Sequence, residues 1–169
     1  TLSHASTSVW NQTVFIDALY ISFITSGISL VCIIIMMTPL AWFLSKRSHI
    51  LLWRFIENIC LLPLVLPPTV CGIALLWLWG AHHWGTYSLA LSTSAVIIAQ
   101  IFVAAPIYLK AMSQHFRHIP PTITETARTL GKTSWQTLYT LHIPMSLPTV
   151  INVALLTWLR AMGEFGATL

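Results

Sequence analysis

Charge is what this sequence has least of. Lys and Arg number 8 and Asp and Glu number 4, so only 7% of the 169 residues are charged. Soluble domains carry about a quarter. That deficit excludes an ordinary soluble domain and a disordered tail. Cysteine is also scarce: Cys32, Cys60 and Cys71 all sit in apolar segments, without a Cys-x-x-Cys pair. An odd number of such thiols gives neither a disulfide framework nor a thiolate metal centre. No glycine-rich loop ending in Lys-Ser or Lys-Thr occurs, and Gly131-Lys132 lacks the upstream glycine. The chain is therefore not expected to bind ATP or to need a cofactor of its own. No nucleophile, base and orienting group come together in sequence, which argues against an enzyme. Residues Thr1 to Gln12 lack the basic flank of a signal peptide. The chain begins at Thr1 and stops at Leu169 within an apolar stretch, so a fragment truncated at least at its C-terminal end is expected.

What is there is apolar, at 56% of residues, and it is arranged in long runs. No charge occurs from Ala18 to Ser45, from Asn58 to Leu109, or from Thr133 to Leu159. Each run exceeds the roughly 20 residues that cross a bilayer. The reading is an all-α, polytopic membrane protein. Four spans are expected, at about Phe15–Leu44, Ile59–Trp79, Tyr87–Leu109 and Leu147–Leu169. The second will not be a plain helix, because Pro63, Pro67 and Pro68 lack N–H groups and Leu66 precedes a proline. Broken backbone at membrane depth persists only when packed in protein or facing a watery path. The alternative is a short interfacial helix, Leu51 to Leu66, feeding a span that starts at Pro68.

Lys and Arg number none before the first span, three in Ser45–Glu57, none in Gly80–Thr86 and four between Lys110 and Lys132. By the positive-inside rule the N-terminus and the Gly80 loop lie outside and the two basic segments are cytoplasmic. The +4 net charge is then a topology signal and not a sign of nucleic-acid binding. Trp10, Trp77, Trp79 and Trp84 fall near the expected outer interface, with Trp42 and Trp53 near the inner one.

The cytoplasmic segment from Lys110 to Ser146 is far longer than a tether needs. It reads as two short helices. The first, Pro121 to Leu130, ends on Gly131 as a left-handed cap. The second, Ser134 to Leu141, takes Ser134 as its N-cap and ends at His142-Ile143-Pro144. His115, His118 and His142 are expected to be solvated or at a partner surface. His82-His83 lacks further ligands nearby and reads as a solvated outer loop rather than a metal site. Arg160 and Glu164 are four apart and share a helix face. They form either a structural pair or part of an anion path, and a charge at that depth costs on the order of 3 kcal/mol if unpaired.

Glu125-Thr126-Ala127, then Gly131, then Leu141-His142-Ile143-Pro144 resembles the EAA loop of ABC importer permeases, with matching spacing. The departures are Thr126, Leu141 and Ile143, where the family pattern has Ala, Ile and Leu. Leu62–Val70, holding Pro63, Pro67 and Pro68, with Gly72 is similar to the second-span motif of molybdate permeases. Arg160-Ala161-Met162-Gly163-Glu164-Phe165-Gly166-Ala167-Thr168 is similar to a further motif of that family. The resemblance implies one transmembrane permease domain over 1–169, lacking the family's last span. It further implies a second permease copy, an ATPase subunit that holds ATP and Mg, an external oxyanion-binding protein, and residence in the cytoplasmic (inner) membrane among lipid. Glu125 and Gly131 would then belong to the ATPase-coupling loop. Tungstate, or sulfate and thiosulfate, are the alternative cargoes; a passive channel or a membrane scaffold is the alternative class.

Overall fold

The computed structural model describes residues 3–47, 51–66, 70–71, 73–74, 77 and 93–163. The ordered elements among them are helices, with no strand among the described residues. They are α1 (Ser3–Lys46), α2 (Leu51–Cys60), α3 (Leu62–Val65), α4 (Thr93–His118), α5 (Pro121–Thr129), α6 (Ser134–Thr137), a π-turn (Leu138–His142) and α7 (Ile143–Met162). Among the described residues three stretches are long and apolar enough to cross a membrane: Leu19–Lys46, Thr93–His118 and Ser134–Met162.

α1 has 44 residues, about 66 Å at 1.5 Å per residue. That is roughly twice the hydrocarbon thickness. Its C-terminal two-thirds packs on α4 and α7. The core joins Ile33, Ala41, Trp42 and Leu44 of α1 to Ala104, Ala105, Tyr108, Leu109, Met112 and Phe116 of α4. Leu138, Val153 and Ala161 complete it.

Side-chain pairs fix the helix directions. Ser29 meets Ile97 and Gln100, and nine residues later Thr38 meets Tyr108. α1 and α4 therefore run the same way. Ser146 meets His115, whereas Trp158 meets Ser26, so α7 runs against both. This alternation gathers Lys46, Arg47, Lys110, Arg117, Arg128 and Lys132 toward one end of the bundle.

Several elements depart from the sequence reading. α4 continues nine residues past Leu109 to His118. Lys110 to His118 contains no glycine or proline, and Met112, Ser113 and Phe116 prolong the buried stripe. Pro120 is the first breaker. The region from Leu51 is not one helix: α2 ends at Cys60, α3 is a single turn, and Leu66 is extended with φ −76° and ψ 141°. That conformation is what the following proline demands. Pro67, Pro68, Gly72, His82, His83 and the Gly80 loop lie outside the described residues, as do Thr69, Leu75, Leu76, Leu78 and Trp79 of the expected second span, and Glu164.

His142-Ile143-Pro144 does not end a helix. The chain passes from α6 through the π-turn into α7 without a break. A proline ring collides with the carbonyl four residues back in a regular α-helix. The wider π-turn just ahead of Pro144 relaxes that constraint. The N-cap is Thr133 and not Ser134. Thr133 Oγ1 accepts from the Gln136 backbone N–H at 3.4 Å, and Gln136 Oε1 accepts from the Thr133 N–H at 2.9 Å. This reciprocal box satisfies two donors that Ser134 would leave open.

Candidate functional site

The basic end of the bundle is built around a helical hairpin. α5 opens on Pro121, where the missing N–H costs nothing. It closes with Gly131 at φ +79°. The Gly131 N–H donates to the Arg128 carbonyl at 2.9 Å and the Lys132 N–H to the Ala127 carbonyl at 3.0 Å. This is a full Schellman closure, and only glycine takes that φ cheaply. The chain thus reverses within three residues and enters α6 from the Thr133 cap.

The hairpin has an outer and an inner side. Glu125, Thr126, Gly131 and Pro144 are exposed, and Leu141 and Ile143 are half-buried. Leu130, Trp135 and Tyr139 stand at 75%, 58% and 61% exposure. Trp135 and Tyr139 stack with centroids 6.4 Å apart. Exposed aromatic and aliphatic groups of this size suit a protein surface better than water.

On the inner side Ala127, Thr137, Leu138 and His142 are buried. His142 is 3% exposed, which corrects the expectation that it is solvated. Its ring lies edge-on to Trp42 of α1 and Phe116 of α4, with centroids 6.1 and 6.2 Å away. Its Nε2 shares a hydrogen bond with Thr124 Oγ1 of α5 at 3.2 Å. One imidazole therefore joins α1, α4, α5 and the π-turn. His115 is half-buried and bonds Ser146 and Thr149 of α7 at 3.0 and 3.3 Å. His118 is exposed, as the sequence reading has it.

A second junction was not legible locally. Glu57 of α2, 5% exposed, takes Arg117 of α4 on Oε2. Lys110 Nζ stands 3.7 Å from its Oε1, and Ser113 Oγ donates to the same oxygen at 3.5 Å. A buried carboxylate holds its charge only with such partners. α2 is thereby pinned to the part of α4 that leads into the hairpin. The available signal was a lone acid on an amphipathic segment; its partners are 53 to 60 positions away.

Deeper in the bundle a polar seam joins the long helices. Ser29 Oγ lies 2.9 Å from Gln100 Oε1, and Gln100 Nε2 lies 3.4 Å from Thr25 Oγ1. Trp158 Nε1 donates to Ser26 Oγ at 3.0 Å, and Thr38 and Tyr108 share a bond of 2.8 Å. Small hydroxyl residues let helices approach closely and bond across the gap. These groups serve one another, so the seam is a packing register. Arg160 is half-buried in the last turns of α7 and does not lack an interaction. Pro63 is buried in α3. Among the described residues no three His, Cys, Asp or Glu side chains cluster as metal ligands.

An all-α bundle whose described residues include three membrane-length helices is a polytopic membrane protein. Comparison with known proteins gives the family. The chain belongs to the binding-protein-dependent transport system inner membrane components, whose pattern matches residues 13–169. It is a multi-pass inner membrane protein. It is 32% identical over 174 residues to the probable transport system permease protein NifC of Clostridium pasteurianum, covering 99% of this chain and 60% of that one. It is 37% identical over 159 residues to the molybdenum transport system permease protein ModB of Mycobacterium tuberculosis, covering 90% and 60%. Against ModB of Azotobacter vinelandii the identity is 31% over 152 residues, covering 85% and 67%. The chain spans about 60% of the length of the first two relatives.

Proposed function

We propose that this chain is the membrane subunit of an ATP-driven importer for molybdate or the similar tungstate ion. Two copies would form the path, an external binding protein would deliver the anion, and a separate ATPase would hold ATP and Mg. The N-terminus lies outside and the basic end faces the cytoplasm, in keeping with the loop charges. The observation that carries the reading is the hairpin. Glu125, Thr126 and Ala127 sit on α5, Gly131 makes the reversal, and Leu141, Ile143 and Pro144 lead into α7. In the resemblance these positions form the ATPase-coupling loop, and Leu130, Trp135 and Tyr139, which lie between them in sequence, are exposed here. The cargo is supported by the names of the molybdenum-transport relatives and by Pro63, Pro67, Pro68, Gly72 and the Arg160 motif.

Mechanistically, closure of an ATPase pair would push on α5 and α6. The inner side of the hairpin grips Trp42 and Phe116, so α1 and α4 would move with it. Arg160, with Glu164 four residues on, would set a tempered positive potential near the anion. The test is co-purification with the ATPase and uptake of molybdate, tungstate and sulfate by the assembled importer. Gly131→Trp should abolish assembly or coupling; retention of both would sink the hairpin reading. Arg160→Ala should reduce uptake more than assembly, and equal loss would assign Arg160 to packing.

A further inference from the structure

We infer that the notch between the last turn of α1 and the first turn of α2 is a binding site for the headgroup of an anionic phospholipid, with α2 lying along that lipid's acyl chains. It rests on the chain's place in a membrane and is independent of the cargo proposed above.

Two adjacent cations are held there by aromatic faces. The Arg47 guanidinium carbon is 4.1 Å from the Phe43 ring centre and 5.2 Å from that of Trp53. Those two rings meet edge to face at 5.0 Å, forming a notch between α1 and α2. Lys46 Nζ is 3.7 Å from the Trp42 ring. Ring faces attract and orient a cation but do not neutralise it. The carboxylate nearest in sequence, Glu57, is taken by Arg117 and Lys110. Among the described residues no carboxylate forms an ion pair with Lys46 or Arg47. Both are exposed.

The helix that follows shows where the rest of the ligand goes. Leu51, Phe55 and Ile59 of α2, with Leu62 of α3, recur at helical spacing and are 80%, 62%, 48% and 52% exposed. Glu57, on another side, is bound to α4. Ten residues make about 15 Å of helix, too short to span. An amphipathic helix with cations at one end and an outward apolar stripe lies in the interface plane. Free phosphate would meet the cations and leave the stripe uncovered. A phospholipid covers both, and an anionic one satisfies the two charges.

The experiment is native mass spectrometry of the assembled transporter in neutral detergent, with dioleoyl phosphatidylglycerol and dioleoyl phosphatidylcholine in competition. Wild type should retain phosphatidylglycerol preferentially. Lys46→Gln with Arg47→Gln should weaken that preference by about thirtyfold, and Trp53→Leu should weaken it less. Should the double variant not assemble, Arg47→Gln alone should lower it about fivefold. Equal retention of both lipids by wild type, an unchanged preference in the charge variants, or displacement by millimolar inorganic phosphate would overturn the proposal. So would efficient disulfide cross-linking between copies through Phe55→Cys, which would assign the stripe to a second permease.

Discussion

The junction at Glu57 yields the sharpest stability prediction. Glu57→Gln keeps shape and an acceptor for Ser113 but removes the charge that Arg117 and Lys110 neutralise. Removing one partner of a fully buried pair costs about 3–5 kcal/mol. Here the acid side chain is 6% exposed, whereas Arg117 and Lys110 are 32% and 41% exposed. The freed cations reach water, so screening brings the loss to about 1–2 kcal/mol. The pair itself is best read by a double-mutant cycle with Glu57→Gln and Arg117→Gln, measured by reversible unfolding in mixed micelles. The coupling energy should be about 1 kcal/mol and should shrink with added salt less than an exposed pair's would. Lys110→Gln should couple to Glu57 more weakly, given its longer contact. A coupling within about 0.3 kcal/mol of zero would refute the argument. It would mean that α2 is held on α4 by apolar contact alone.

Three further perturbations follow from the same geometry. Gly131→Ala should cost about 1–2 kcal/mol, all of it backbone strain, since a Cβ there meets nothing within 4 Å. Gly131→Asn should cost less, because asparagine tolerates the left-handed region; calorimetry of the assembled complex would rank the two. Thr133→Ala removes half of the capping box and should destabilise by about 1 kcal/mol, with faster amide exchange at Ser134–Gln136 as its signature. Gln100→Leu strips the centre of the polar seam and should cost about 0.6–1.7 kcal/mol. The Ser29 hydroxyl still has a carbonyl to donate to, that of Thr25 at 2.8 Å or of Ile97 at 3.3 Å, so the loss should stay well below that of an orphaned amide.

Much of this architecture is readable from composition. Uncharged runs marked the long helices, and Pro120, Pro121 and Gly131 punctuated the first half of the hairpin. Local rules failed where tertiary partners decide the outcome. His142 and Pro144 looked like a terminator, yet a π-turn carries the helix past them. Thr133-Ser134-Trp135-Gln136 held a capping signal, and the neighbouring serine obscured it. Lys110 to His118 read as loop because charge usually marks water, while Met112, Ser113 and Phe116 keep that stretch on the core. Glu57 was invisible as a junction, because nothing within a helical turn hints at Arg117. Side-chain pairing between helices is a property of the packed bundle and leaves little trace in local periodicity.

The unbroken course from Ser134 to Met162 has a mechanical consequence. It is 29 residues, about 43 Å of nearly continuous rod. No slack linker separates its exposed end from its deep end. A rotation of about 5° around its midpoint would swing either tip by roughly 2 Å, and a flexible joint would absorb a displacement that small. The π-turn is where such a rod can gain or lose winding, and so where a push could become a twist of the α7 face toward α1 and α4.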